Sequence, residues 1–404
     1  MAKGGRKIYR TSANYRKKRQ QKILKAILVI IFLAALVFLG YSVAKPIHNY
    51  IVNKSGEKVT EEDVWSPPVV TEQTESKTDE TEKTSEATEA VEEEKKNEPD
   101  TFSAYQLPVT AMESTQTLTD ALALAKESGY TAVCVPLKAE GGRIYYNTAS
   151  EMAKTSENSV SGTMYAGQIA SIIKNEGFTA IAYINLLEDN NRYGENRTGS
   201  YKTTDESTWL DNAPSKGGKP WLSPFEAETQ EYVKFISNEV ASAGYEYIVF
   251  DGAVFPNFRN SDKAYIGESV QSETRYKALV NIANIASQTA EVYGTNTILT
   301  VSASDILDGT AEAFKPAELE YSTIAVEYVP EEISATAIIN GEETALADLN
   351  ANNKAYTVFS EIQRLAGADV KIVPVLTHSE FSQADFNEVI TAVRSIGCDS
   401  YLIR

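Results

Sequence analysis

Residues 101–404 contain eight short apolar runs that alternate with amphipathic helical stretches. The runs are rich in β-branched residues and are nearly continuous, which is typical of parallel strands buried on both faces. In chain order the predicted strands are Leu107–Ala111, Ala132–Leu137, Ala180–Asn185, Tyr247–Asp251, Ile298–Ser302, Thr323–Glu327, Ile372–Leu376 and Ser400–Ile403. Eight strands alternating with helices over about 300 residues is the count of a (β/α)8 barrel. The predicted fold class is therefore α/β, a (β/α)8 TIM-type barrel.

A doubly wound open sheet is the alternative for the same alternation. That fold would favour a glycine-rich phosphate-binding turn after the first strand. The segment Ala111–Ser114 contains no glycine. The barrel is favoured, and it predicts a functional site in the loops at the carboxyl ends of the strands.

Several helix boundaries carry recognisable signals. Thr117 is the predicted cap of the first helix, which ends before Gly129. Ser382 and Asp385 predict the start of the last helix, as an aspartate version of the capping box. Ser223–Glu226 predicts a capping box with proline at the first helical position.

Residues 26–44 form an apolar run of nineteen residues without a charge. A helix of that length spans the hydrocarbon core of about 30 Å and satisfies its own backbone hydrogen bonds there. Residues 1–25 hold ten Lys or Arg and no acid, which places the N-terminus in the cytoplasm. A cleaved signal peptide, with Ser42–Ala44 as the small-residue site, is the alternative. Both interpretations export the remaining chain.

The segment that follows the apolar run is strongly acidic. Residues 55–100 hold sixteen Asp or Glu against five Lys, with few aromatic residues. Such a composition cannot bury enough apolar surface to offset chain entropy, and it predicts a disordered stalk. The predicted organisation is a basic cytoplasmic tail (1–25), a transmembrane signal-anchor helix (26–44), an acidic stalk (45–100) and an extracellular barrel domain (101–404).

Charge and composition exclude several function classes. The formal net charge is −18 in spite of the basic tail, which argues against a nucleic-acid partner. The chain has two histidines and no loop with the spacing of a calcium site, so neither metal nor cofactor is predicted. Cys134 and Cys398 lie in or beside apolar runs and are predicted to be buried thiols.

Asp251 is the first candidate for a functional role. It ends a run of Tyr, Ile, Val and Phe, and a carboxylate is costly to bury there without a partner or a task. The alternative is a structural role in which the carboxylate accepts backbone N–H bonds and shapes the turn at Gly252. Lys138 is expected to pair with Asp251 or to hold a substrate oxygen.

Three segments carry a recognisable pattern: Val133–Tyr146, with a lysine and two glycines after the second strand, Ile181–Asp189, and Ala243–Pro256, with a strand that ends in Asp251. In these segments the chain resembles DUF4015, a family of glycoside hydrolase-like domains often anchored in bacterial envelopes. The resemblance covers most of residues 105–404 and implies a TIM-type barrel that acts on carbohydrate. The partner it implies is a polysaccharide or cell-wall glycan.

The sequence also departs from the family pattern. The family's aspartate two positions before the lysine is replaced by Pro136, and the tyrosine and arginine that follow the carboxylate are replaced by Gly252 and Val254. Ser223 stands where the family has an aspartate. The missing arginine would orient the carboxylate or hold a sugar hydroxyl, so its loss weakens a catalytic interpretation.

Glycoside hydrolysis requires two carboxyl groups on either side of the scissile bond. Asp251 is predicted to be the ionised partner. The second carboxyl group is Glu327 or Asp305, and Glu327 is favoured because it ends a strand. The remaining strand-end residues are predicted to contact substrate, and structural roles remain open for each of them. These are Lys138, Tyr145, Asn185, Asp189 and His378.

The segment from Glu188 to Trp221 is a long loop without clear secondary structure, which usually indicates a lid or binding loop. Its aromatic residues include Trp209 and Trp221. Aromatic faces beside amide groups suit a sugar ring, although the same residues could fold the loop back onto the barrel.

Three functions remain open from the sequence. A glycoside hydrolase predicts two carboxylates facing each other across an open cleft, about 5–10 Å apart. A carbohydrate-binding pseudoenzyme predicts aromatic platforms with Asp251 tied to Lys138 and no second acid in range. A structural or interaction module of the cell surface predicts strand ends covered by the chain's own loops.

Overall fold

The computed structural model describes residues 101–404, except 155–158, 192–198, 263–265, 268–271 and 311. The predicted tail, transmembrane helix and stalk, residues 1–100, lie outside the described residues. Within the described part, no helix is both long and apolar enough to cross a bilayer.

Parallel strands alternate with helices along the described chain. The strands are β1 (Ser103–Gln106), β2 (Ala132–Lys138), β3 (Thr179–Asn185), β4 (Tyr247–Asp251), β5 (Asn296–Ser302), β6 (Thr323–Glu327), β7 (Thr336–Ile339), β8 (Glu342–Ala345), β9 (Lys371–Leu376) and β10 (Tyr401–Ile403). The α-helices are α1 (Thr115–Glu127), α2 (Ala166–Asn175), α3 (Ala227–Ala241), α4 (Ser272–Glu291), α5 (Ala303–Asp308), α6 (Ala351–Ala366) and α7 (Gln383–Ser395).

Eight of the described strands close into a ring. The order around the ring is β1-β10-β9-β6-β5-β4-β3-β2, and every neighbouring pair is parallel. Closure is made by β1 and β10, where Ser103 pairs with Tyr401 and Tyr105 with Ile403. The (β/α)8 barrel prediction is confirmed, and the open sheet is excluded.

The first predicted strand was placed wrongly. The strand is Ser103–Gln106, and the expected segment Leu107–Ala111 lies beyond it, where Val109–Glu113 forms a 3-10 turn. Pro108 has no N–H to donate to a ladder, so the strand ends before it. The other barrel strands agree with the predictions to within two residues at either end.

A β-hairpin of β7 and β8 follows β6 and was not predicted. Its turn residues Asn340 and Gly341 have positive φ values of 53° and 86°. Asn-Gly with positive φ at both positions is the preferred turn of a two-residue hairpin, so the dipeptide was the available signal.

Two of the three predicted helix caps require correction. Ser114 caps α1, because its side chain accepts from the N–H of Thr117 while the Thr117 hydroxyl accepts from the N–H of Ser114. Ser223 lies in a turn before α3, whose cap position is Glu226. Ser382 caps α7 as predicted, accepting from the N–H of Asp385 at 3.2 Å.

The buried apolar residues of the barrel form two layers. The larger cluster lies between the strands and the helices. The smaller one consists mainly of alternate strand residues, including Tyr183, Val249, Ala325 and Leu402. Since successive strand residues point to opposite faces, this smaller cluster is the barrel interior. It fixes which residues at the strand ends point inward.

Candidate active site

Three charged residues continue the inward-facing rows at the carboxyl ends of β4, β6 and β10. Asp251, Glu327 and Arg404 each lie two residues beyond a member of the interior cluster, namely Val249, Ala325 and Leu402. The period of two therefore directs all three side chains to the mouth of the barrel. This is the edge at which barrel enzymes build their sites.

Arg404 joins the two carboxylates. Its Nη2 donates to Oδ2 of Asp251 at 2.7 Å, and its Nη1 donates to Oε1 of Glu327 at 3.3 Å. Because one planar guanidinium carries both donors, the bonded oxygens of the two carboxylates lie within about 8 Å of each other. The guanidinium carbon also lies 5.2 Å from the centroid of the Tyr183 ring, a cation–π contact.

Asp251 is held by the backbone as well as by Arg404. Its Oδ1 accepts from the N–H of Gly252 at 2.6 Å. Gly252 has a φ of +65°, and a Cβ there would lie 2.4 Å from the side-chain amide of Asn185. The turn after β4 therefore requires glycine, and the family's tyrosine does not fit at this position.

A pocket of about 370 Å³ opens beside these residues. Its lining includes two hydroxyl-bearing residues of β5, Thr300 and Ser302, and four acids, Asp251, Asp305, Glu312 and Glu327. All three carboxylates predicted as candidate catalytic groups, Asp251, Glu327 and Asp305, thus face one cavity. Residues of the loops after β4 and α5, including Phe255 and Phe314, complete the lining among the described residues.

Two candidate carboxyl groups of the pocket, Glu327 and Asp305, have a raised pKa. Burial raises the pKa of Glu327, the positive charge of Arg404 opposes that shift, and the charge of Asp251 adds to it. Burial and the nearby Asp308 raise the pKa of Asp305. Glu327 therefore holds a proton more readily than an ordinary glutamate, as a general acid requires.

Lys138 does not pair with Asp251, which corrects the sequence expectation. Its Nζ lies 3.2 Å from Oδ2 of Asp189 and donates to the backbone oxygen of Asn185 at 2.7 Å. The side chains of the ion pair are 2% and 1% exposed. Gly142 has a φ of +80°, and a Cβ there would lie 2.0 Å from the Asp189 carboxylate. The glycines after β2 thus make room for the pair.

This buried pair supports the strand that carries Asp251. Lys138 fixes the end of β3 at Asn185, and the next two N–H groups of the chain donate to the backbone oxygens of Asp251 and Gly252 at 2.7 and 3.2 Å. Lys138, Asn185 and Asp189 are all buried, which contradicts their prediction as substrate contacts. They hold the β3 and β4 ends together.

The aromatic residues of the long loop fold onto the domain. Trp209 is 1% exposed and packs with Tyr201 and Ile266, so the expected open platform at Trp209 is wrong. Trp221 is half-buried against the same cluster and donates from Nε1 to Asp211 at 3.3 Å. Tyr145 is half-buried against the main core.

His378 lies apart from the pocket. Its side chain is exposed, and its ring centroid lies 5.2 Å from that of Phe386. It does not line the cavity that contains Asp251 and Glu327. The structure therefore does not bring His378 together with the predicted carboxylates.

Arg404 is the site residue that the sequence analysis missed. The signal was present, because Arg404 directly follows the last apolar strand, and charged residues at strand ends are where a barrel site is expected. Position 254, where the family has an arginine, is an exposed valine. Arg404 supplies a cation to Asp251 from a different strand.

A closed parallel barrel with two carboxylates at its mouth is an architecture that glycoside hydrolases use. The model of a family described as "putative glycosyl hydrolase domain" matches residues 104–306, half of the chain, and the chain belongs to this family. The resemblance noted from the sequence is confirmed. The search of curated proteins gave no match.

The solved structures to which the chain is similar include three with low sequence identity. The glycoside hydrolase domain of PgaB (BpsB) from Bordetella bronchiseptica is 13% identical, with a TM-score of 0.51 over 76% of this chain and 94% of that one. The catalytic domain of β-amylase from Paenibacillus polymyxa is 10% identical, with a TM-score of 0.47 over 74% and 91%. A hypothetical protein from Ruminiclostridium thermocellum is 16% identical, with a TM-score of 0.39 over 48% and 96%. The first likeness supports the shared fold.

Proposed function

We propose that this protein hydrolyses glycosidic bonds in an envelope or extracellular polysaccharide. The observation that carries the proposal is the Arg404 guanidinium, which holds Asp251 and Glu327 at the open mouth of the barrel at 2.7 and 3.3 Å. Family membership and the barrel fold agree with a carbohydrate-acting hydrolase-like protein.

The two carboxyl groups are suited to different tasks. Asp251 accepts from Arg404 and from the N–H of Gly252, and the two bonds fix the orientation of its carboxylate. It acts as the nucleophile or the general base. Glu327, whose pKa is raised by burial, donates the proton to the leaving-group oxygen. Asp305 lies on the pocket wall and does not share Arg404.

The experiment is hydrolysis of a panel of envelope and extracellular polysaccharides by the full-length protein. We expect new reducing ends from the wild type, and a loss of at least about 1,000-fold in both Asp251→Asn and Glu327→Gln. Glu343→Gln is the matched control, because this exposed carboxylate lies on the β7–β8 hairpin and does not line the pocket. Thermal melting verifies that each variant is folded, and the anomer first formed distinguishes retention from inversion.

A second candidate is a carbohydrate-binding pseudoenzyme. Arg404 favours it, since a guanidinium shared by both carboxylates also stabilises the ionised form of Glu327 and opposes its role as an acid. The replacements at Pro136, Gly252 and Val254 agree with it. Glycan binding that survives in Asp251→Asn, with no turnover by either protein, would establish this function and reject hydrolysis.

The proposal includes the location of the domain. The charge-free run 26–44 and the basic segment before it support a single-pass anchor with the N-terminus in the cytoplasm and the barrel outside. In intact cells, externally added protease should remove the barrel and leave a protected N-terminal fragment. A barrel that is protected until the membrane is broken would refute this orientation.

A further inference from the structure

The pocket beside Asp251 is lined by acids without a basic residue among its lining residues. Four of the described lining side chains are carboxylates, Asp251, Asp305, Glu312 and Glu327. Two arginines that do not line the pocket neutralise part of this charge. Arg404 forms ion pairs with Asp251 and Glu327, and Arg275 lies 2.6 Å from Glu312. Even when Glu327 is counted as the protonated general acid, three other acids remain against two arginines, so acidic groups stay in excess in the pocket.

Asp305 is the acid that these arginines do not reach. It takes part in none of the ion pairs between described residues, and its side chain is exposed on the pocket wall at the first turn of α5. Glu312 lies near enough for the charge of Asp305 to raise its pKa. Asp305 and Glu312 thus add two acids to the same pocket as the Asp251–Glu327 pair, and Glu312 is the partly neutralised member.

Thr300 gives an independent indication of a polar ligand. The residue lies on β5, between the strands of Asp251 and Glu327, and it is 7% exposed. It lines the pocket, and its hydroxyl has no hydrogen-bond partner among the described residues. A buried hydroxyl in a polar wall normally finds a partner, and an amine or hydroxyl group of a ligand in the pocket would provide one.

The chemistry of the wall selects among ligands. A polyuronate would bring further negative charge against the acids, which costs binding energy. Within the described residues, no three acids or other metal-binding side chains converge on one point that could hold a metal ion. Acids spread along a pocket suit an organic cation, because each ammonium of a saccharide chain pairs with one carboxylate.

We propose that the pocket selects glycans that carry free amino groups, with Asp305 as the main acceptor of the ammonium and Glu312 as the second. This inference rests on the proposed hydrolase function and defines its substrate class as amino sugars without the N-acetyl group. Asp305 thereby has a specificity role in place of the catalytic role considered from the sequence.

The test is a calorimetric titration of the full-length protein in the cold, where turnover is slow, with hexamers of four sugars. They are glucosamine, N-acetylglucosamine, glucose in β-1,4 linkage, and galacturonic acid. At about pH 6, where a primary amine is protonated, we expect the glucosamine hexamer to bind at least about tenfold more tightly than the two neutral hexamers. Added salt should reduce that preference, and the galacturonate hexamer should not bind.

Variants locate the preference. Asp305→Asn should reduce the tenfold preference for the glucosamine hexamer to about twofold. Glu312→Gln should have a smaller effect, because Arg275 already neutralises Glu312. Asp308→Asn is the matched control: it removes the same charge from the same helix, but Asp308 does not line the pocket. The Asp308→Asn variant should prefer the glucosamine hexamer as strongly as the wild type does.

The outcomes separate the two proposals. Equal affinity for glucosamine and the neutral hexamers, tighter binding of galacturonate, or an equal effect of Asp308→Asn and Asp305→Asn would overturn the inference. Hydrolysis of a neutral polysaccharide would then leave the proposed function intact. If the protein neither binds any hexamer nor cleaves any polysaccharide, both proposals fail together.

Discussion

Two carboxylate–cation pairs lie at the same mouth of the barrel, and their surroundings differ. Lys138 and Asp189 are 2% and 1% exposed, whereas Arg404 and Asp251 are 15% and 18% exposed. The first pair is enclosed by the end of β3 and the glycine turn after β2. The second borders the pocket and shares its cation with Glu327. The comparison indicates that burial separates a pair that stabilises the fold from a pair that borders the pocket.

The energetic difference follows from desolvation. Removing one partner of a buried pair leaves a charge that neither water nor another side chain compensates. When one partner of the Arg404–Asp251 pair is removed, water reaches the remaining charged group and reduces the loss of stability. The Lys138–Asp189 pair should therefore dominate stability, and the Arg404–Asp251 pair should dominate activity.

Lys138→Met gives the largest expected effect. It leaves Asp189 charged and buried, so the free energy of unfolding should fall by about 3–5 kcal/mol. Denaturant unfolding measures the change. The double variant Lys138→Met/Asp189→Leu should regain most of the loss, because no unpaired charge remains. A loss below about 1 kcal/mol in the single variant would contradict the distinction between the two pairs.

Gly142→Ala tests the space that the buried pair needs. A Cβ would meet the Asp189 carboxylate in a backbone with positive φ, and we expect a loss of about 2–3 kcal/mol in the free energy of unfolding. Gly129→Ala is the control, since Gly129 has a φ of +79° and nothing within 4 Å of its Cβ position. Its loss should be about 1 kcal/mol. Equal losses would show that the contact with Asp189 costs nothing.

Arg404→Met should reduce stability only slightly and hydrolysis strongly. The free energy of unfolding should fall by about 1–2 kcal/mol, because the two carboxylates remain in contact with the open pocket. Hydrolysis should fall by at least about 100-fold in kcat, since Asp251 loses the donor that fixes its orientation. Single-turnover rates and denaturant unfolding of the same preparation measure both effects. Unchanged turnover would remove Arg404 from the proposed site.

The pH dependence is the smallest expected effect. The folded-state pKa of Glu327 is raised, so between its ordinary value and the raised value the folded protein holds a proton that the unfolded chain has released. This contribution to stability is present at lower pH and is lost as the pH rises through that window. The hydrolysis rate should fall in the same window, because the general acid loses its proton.

Glu327→Gln provides the control for stability, and its free energy of unfolding should lose this part of the pH dependence. In Arg404→Met the falling limb of any residual activity should move to higher pH, since the cation that lowers the pKa of Glu327 is gone. A limb that moves to lower pH, or stability that rises through the window, would assign the titration to another group.

Much of the fold could be predicted because its pattern is local. The apolar runs of β4 and β6 gave their bounds to the residue, since a strand buried on both faces interrupts its apolar pattern only at its ends. The strand Ser103–Gln106 was missed because it is only four residues long and has a polar residue at each end. The hairpin of β7 and β8 lies outside the barrel, so the alternation of strands and helices gave no indication of it.

The candidate site could be predicted only in part. Position at a strand end placed Asp251, Glu327 and Asp305 around one cavity, but it gave no information about which cation each acid meets. Lys138 and Arg404 are both basic residues at strand ends. Which acid Lys138 meets depends on a shift of register in β2, and which acids Arg404 meets depends on closure of the ring by β10. Such contacts are set by tertiary geometry, which a single sequence does not encode by spacing.

The pairing of β1 with β10 has a consequence for how the domain is made. The backbone N–H of Phe102 donates to the hydroxyl of Ser400 across a separation of 298 residues, so the ring closes through the most distant parts of the described chain. Contacts of that range form slowly and late in folding. Until they form, Asp251 and Glu327 exist without the guanidinium that joins them. A nascent or clipped polypeptide that lacks residues 401–404 would therefore carry both acids in an incompetent arrangement, and competence would arise in one step with completion of the ring.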